Sequence, residues 1–127
     1  MNPLTLEWID KAEGDFATAS REMRVRKLPN YDAVCFHAQQ TAEKYLKAVQ
    51  QENRRPIPKT HSLLELLALI IESEPVYLML QPDLNVLEGY AVQYRYPGQA
   101  AEKLDARAAL LAARCVRGFI RTKLGLN

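Results

Sequence analysis

"CFHAQQTAEKYLKA", residues 35–48, is the stretch on which the fold turns. At about 100° per residue, Val34, Ala38, Ala42, Tyr45, Leu46 and Val49 fall on one side, and His37, Gln40, Lys44, Lys47 and Gln51 fall nearly opposite. That division predicts an amphipathic helix over Tyr31 to Glu52. The polar stripe has two readings, a solvated face or a surface that holds an anion. A solvated face ordinarily mixes Glu with Lys as intrahelical pairs. Within residues 35–48 the only acid is Glu43, set on one flank, so the stripe offers donors and a titratable imidazole.

Outward from this helix the same periodicity continues, and no segment alternates as a strand does. A first helix is expected from Pro3 to about Arg24, capped by Asn2, with Leu6, Ile9, Ala12, Phe16, Ala19 and Met23 as its apolar stripe. Gly14 lies off that stripe, where it would suit a close helix crossing. Pro29 and Asn30 separate the first two helices, and "NRRPIPKT" reads as a loop because its prolines forbid a helix. "HSLLELLALIIES" reads as a third helix, with Ser62 and Glu65 in capping-box spacing. A short piece around "VYLML" precedes a fourth helix expected from an Asp83 cap to about Tyr94, closed by Pro97 and Gly98. The last helix is expected from Ala100 to Leu124, with Gly125 beyond it. Leu104, Ala108, Leu111, Cys115 and Phe119 form one of its apolar rows, and Ala112, Val116 and Ile120 the next.

Four long helices and a short extra one, joined by short connections, imply an all-α antiparallel helical bundle, with residues 1–127 as a single domain. Phe36, Tyr77, Leu78 and Leu80 read as apolar surplus, for which a homodimer interface is the natural use. A net charge of +2 gives no global electrostatic funnel, so any nucleic-acid role must rest on a local patch. Cys35 and Cys115 both sit in apolar helical patterns, which favours small buried hydrophobes over a disulfide. No Cys-His cluster has zinc spacing, and no metal or cofactor is expected. "MNPLTLEW" lacks the pattern of a signal peptide, and no apolar run reaches the roughly 20 residues of a membrane span, so a cytoplasmic protein away from the membrane is expected.

Three further clusters carry chemistry. "RRPIPKTHS" places Arg54, Arg55, Lys59 and His61 where a loop runs into a helix N-terminus, whose free N–H groups and dipole favour anions. "GYAVQYRYPG" sets Tyr90, Tyr94 and Tyr96 around Arg95, a combination that stacks a base and holds its phosphate, or buries rings with hydroxyls at a rim. Arg107, Arg114 and Arg121, with Arg117 beside them, form a basic row on the last helix.

In this order along a helical chain, "FHAQQTAEKYLKA", "KTHSLLELL" and "YAVQYRYPG" make the sequence resemble the HEPN family over nearly its whole length. The resemblance implies a small helical domain linked to nucleotide or RNA biology. It also implies a homodimer with a cleft at its interface. Prokaryotic members commonly pair with a separate minimal nucleotidyltransferase chain, often as a toxin–antitoxin couple. Many members are metal-independent ribonucleases whose motif is an Arg, a polar residue and then a His on a helix near the C-terminus. This sequence departs from that motif. Its last His is His61, Pro56 and Pro58 stand between Arg55 and His61, and the segment reads as a loop.

The expected function is therefore binding of nucleotide or RNA phosphate, as the partner subunit of a minimal nucleotidyltransferase. His37, Gln40, Lys44, Lys47, Lys59, His61, Arg95 and Tyr96 are the expected contacts, with Lys44, Lys47, His61 and Arg95 lining one cleft. The rivals are an endoribonuclease toxin, with His61 carrying the proton and Arg55 or Arg95 steadying the phosphate, and a pure protein-interaction module.

Overall fold

The computed structural model describes residues 1–127. It is the all-α bundle expected, built from α1 (Pro3–Met23), α2 (Tyr31–Glu52), α3 (Leu63–Ile71), a 3-10 turn (Pro75–Leu80), α4 (Gln81–Leu87) and α5 (Lys103–Lys123). No helix is long and apolar enough to cross a membrane.

The long helices start where local chemistry dictates. The Asn2 side chain accepts from the Leu4 N–H, with Pro3 at the first helical position, and the Asn30 side chain accepts from the Ala33 N–H. α5 closes with Gly125 at φ +78°, its N–H bonded to the Thr122 carbonyl and the Leu126 N–H to the Arg121 carbonyl. α1 runs antiparallel to both long neighbours. Thr5 meets Glu52 and Asp15 meets His37 on α2, while Glu13 meets Arg117 and Met23 lies beside Arg107 on α5.

α2 is the central element. Its buried residues extend beyond the apolar side to Gln39, Thr41, Glu43, Lys47 and Gln50, because the other elements close around it. Tyr45, fully buried, donates its hydroxyl to Glu13 and accepts from Arg121. Burial and the Glu13 hydrogen bond push this phenol up to about 12, so it stays a donor.

Several details differ from the sequence expectation. In α1, Thr5, Ile9, Ala12, Asp15 and Ala19 face inward, whereas Leu6 is exposed. In α5, Ala106, Ala109, Leu110 and Ala113 join Ala112, Val116 and Ile120 in the core, leaving Leu104, Ala108, Leu111 and Cys115 exposed. Tyr77 and Leu80 are core residues rather than surplus. Gly14 marks no close crossing, since a Cβ there meets nothing within 4 Å. Cys35 is buried, Cys115 is exposed, and both are free. Finally, α4 ends at Leu87 instead of continuing to Tyr94, and Asp83 lies inside it rather than capping it. Glu88 turns out of the helix, and Gly89 follows at φ +91°, a conformation that favours glycine.

Candidate functional site

The polar stripe of α2 is neither a wet face nor a free cationic surface. α1 brings the buried Asp15 against it, and the two carboxylate oxygens take separate partners. Oδ1 lies 2.7 Å from His37 Nδ1, and Oδ2 accepts from Lys44 Nζ at 2.5 Å. One row over, Glu43 forms a second network. It accepts from Lys47 Nζ at 3.0 Å, approaches His61 Nδ1 at 3.1 Å, and accepts from the amides of Gln39 and Gln40. Burial alone would raise the Glu43 carboxyl. The hydrogen bonds from Lys47, His61 and Gln39 and the Lys47 charge together outweigh it and hold the group below its ordinary 4.5. The Lys47 ammonium also lies 5.8 Å from the centre of the Trp8 ring, and its side chain is only 9% exposed.

The basic loop behaves similarly. His61 is 70% exposed but anchored at Nδ1 by Glu43. The α3 N-terminus, expected to attract an external anion, already holds one. The Glu88 carboxylate accepts from Ser62 Oγ at 2.7 Å and from the Leu63 and Leu64 N–H groups. Ser62 does cap α3 by accepting from the Glu65 N–H, but the Glu65 side chain accepts from Thr60 instead of closing a capping box. Lys59 is exposed, and Arg55 lines a narrow cleft with Gln50, Pro56, Ile57, Pro58 and Leu69. On α5, Arg117 forms a bidentate pair with Glu13 and Arg121 bonds Tyr45 and the Asn127 carbonyl, so only Arg107 and Arg114 of the arginine row stand free.

One cavity gathers the remaining candidates. About 390 Å³ in volume, it opens between the start of α2 and the irregular segment after α4, and is lined by Asn30, Asp32, Ala33, Phe36, His37, Tyr90, Tyr94 and Arg95. Asp32 accepts from the Ala101 N–H at 2.7 Å, which ties the segment leading into α5 to the cavity wall. Tyr90 and Tyr94 pack with ring centroids 5.6 Å apart, and Phe36 meets His37 edge-on. Burial pushes the Tyr90 phenol up to about 12 and raises that of Tyr94, so both hydroxyls remain protonated at neutral pH. Arg95 is exposed and enters none of the protein's ion pairs. Tyr96, also exposed, follows it directly but is not part of the cavity wall.

The expected single cleft of Lys44, Lys47, His61 and Arg95 is thus divided. Lys47 and His61 share Glu43, Lys44 and His37 share Asp15, and His37 and Arg95 share the cavity. Gln40 belongs to the Glu43 network. Of the acids that organise these groups, Glu43 was visible in the sequence only as a flank residue, and Asp15 and Glu88 escaped the reading, although Asp15 carries a signal. It stands three residues after Ala12 in the register of Ile9 and Ala19, an acid within an apolar stripe. Glu88 carries none, because its partners are 24 to 26 residues away.

Chemically, the cavity combines a free guanidinium, two phenol donors and an imidazole fixed through Nδ1 by a carboxylate. The first three suit a phosphate beside a base, and the last suits proton handling at the other ring nitrogen.

A sequence model of the HEPN domain matches residues 5–123. Among solved structures, the crystal structure of TT1696 from Thermus thermophilus is similar. It shares 29% identity and a TM-score of 0.80, over 94% of this chain and 97% of that one. No curated protein matches.

Proposed function

The chain belongs to the HEPN domain family, and we propose that it binds the phosphate of a nucleotide or single-stranded RNA in the cavity of His37, Tyr90, Tyr94 and Arg95. One observation carries this reading. Arg95 enters no ion pair and lines the cavity with Tyr90 and Tyr94, whose rings lie 5.6 Å apart at 35°, whereas Lys44 and Lys47 are neutralised within the fold. A guanidinium provides paired donors for phosphate, and an adjacent aromatic provides a face for a base. Tyr96 extends that aromatic surface outside the cavity. Lys59 and the exposed face of His61 belong to a longer RNA path.

The family resemblance supplies the partner class. The protein works as a homodimeric subunit beside a minimal nucleotidyltransferase chain, in a toxin–antitoxin-like pair. The test is fluorescence anisotropy with a labelled oligoribonucleotide, alone and with the chain encoded by the neighbouring gene. Arg95→Ala is expected to weaken binding about tenfold or more, the loss of one charge-assisted contact. Tyr94→Ala is expected to lose about 1–3 kcal/mol of stacking. Unchanged affinity in both variants would sink the reading.

The Asp15–His37 pair supports a second reading, metal-independent RNA cleavage in the same cavity. The His37 imidazole takes the proton of a 2′-hydroxyl, whose oxygen attacks the adjacent phosphorus. The 5′-oxygen leaves and receives a proton from the imidazolium, giving a 2′,3′-cyclic phosphate and a 5′-hydroxyl. Arg95 offsets the charge that gathers on the phosphorane. Cleavage in EDTA that His37→Ala abolishes and His61→Ala retains is the expected signature, and intact RNA after prolonged incubation argues against it.

A further inference from the structure

The corner where α1 ends and α5 begins concentrates unpaired cations. Arg24, Arg26 and Lys27 follow α1, and Lys103, Arg107 and Arg114 project from α5. All six are exposed, and none enters any of the protein's ion pairs. The acids nearest in sequence are already occupied. Glu22 accepts from the Asn30 N–H, and Glu102 and Asp105 close the capping box of α5. A chain of net charge +2 therefore presents a strongly basic corner.

Its floor is aliphatic. A groove of about 550 Å³ runs between Met23 and α5, lined also by Lys103, Arg107, Leu110, Leu111 and Arg114. Leu104 and Leu111 are 72% and 56% exposed on the same face of α5. Leu104 and Arg107 recur as Leu111 and Arg114 seven residues later, so apolar and basic side chains alternate along the helix. A seven-residue repeat of this kind matches the side-chain spacing of a second helix laid alongside.

We infer that this corner docks an acidic amphipathic helix of a partner protein, with aliphatic side chains in the groove and carboxylates against Arg107 and Arg114. The charge selects an acidic occupant. The floor selects protein over nucleic acid, because no aromatic ring lines it for stacking, and a duplex offers no apolar surface to bury. A two-fold contact with a second copy would set the basic corner against itself.

The test uses the full chain and a fluorescein-labelled helical peptide of Leu/Glu heptads. A counterpart with Lys in place of Glu and an oligouridylate serve as the alternatives. The acidic peptide is expected to bind saturably and to shift the amide resonances of residues 23–28 and 103–114. Arg107→Glu with Arg114→Glu is expected to weaken it roughly tenfold or more, and Arg95→Ala to leave it unchanged. Because the reversed side chains are exposed, an unaltered helical circular dichroism spectrum is expected, with Arg107→Ala/Arg114→Ala as the milder variant. No binding, equal binding of the basic peptide, or indifference to both double variants would overturn the inference. So would displacement by oligouridylate, which marks a nucleic-acid surface, or a dimer that the charge reversal dissolves.

Discussion

Lys44 and Lys47 lie on neighbouring rows of α2, and each meets a carboxylate, Asp15 across the α1 interface and Glu43 one turn back. A buried carboxylate that has lost its cation, or a buried cation that has lost its carboxylate, is strongly unfavourable. Glu43→Gln leaves the Lys47 ammonium without its counter-charge, and a loss of about 3 kcal/mol is expected in denaturant unfolding at neutral pH. The same carboxyl sets a pH dependence. Because the fold holds Glu43 below its ordinary 4.5, its contribution is complete above that value and is lost as pH falls through the lower, folded value. Wild type should therefore lose stability on acidification below pH 4.5, and Glu43→Gln should show a shallower acid limb. A variant as stable as wild type with an equally steep limb would contradict the network. Lys44, Lys47 and His37 were legible in the sequence because they share α2. Their acids were legible only in part, because Asp15 reaches α2 across an interface that periodicity does not specify.

At the scale of elements, the ends of α2 and α5 make a natural comparison. Both close with the same pair of hydrogen bonds. At α2 these run from the Arg54 N–H to the Gln51 carbonyl and from the Arg55 N–H to the Gln50 carbonyl. α5 places Gly125 at the left-handed position, but α2 places Arg54 there, at φ 56°. An L side chain in that region costs roughly 1–2 kcal/mol. Arg54→Gly should raise stability by about 0.5–1 kcal/mol, seen as a higher urea midpoint with unchanged slope. A lower midpoint would show that the Arg54 side chain contributes more than its backbone strain costs. The caps at Asn2, Asn30 and Gly125 were readable because each acts within its own helix. α4 was misjudged in length because Glu88 leaves it to cap α3, a demand from a remote element.

For the whole molecule, the fold sorts like residues into different roles. Cys35 is fully buried, with its thiol pushed up to about 12 chiefly by burial, whereas Cys115 is exposed on α5. One thiol should react quickly with an aromatic disulfide reagent in the native protein and both after unfolding; two fast thiols in the folded chain would contradict this packing. Cations are sorted in the same way. Those inside the bundle meet carboxylates, and the unpaired ones lie at the surface, at the α1–α5 corner, beside the tyrosine cavity and in the loop of Arg54, Arg55 and Lys59. The bundle followed from periodicity, but this sorting required the tertiary pairing of α1 with α2. The most direct test of phosphate binding in the cavity is an amide-resonance titration of the protein with a short single-stranded oligoribonucleotide. Shifts are expected to concentrate at residues 33–37 and 90–96 and to disappear in Arg95→Ala. Shifts centred on other residues, or undiminished in Arg95→Ala, would contradict the assignment.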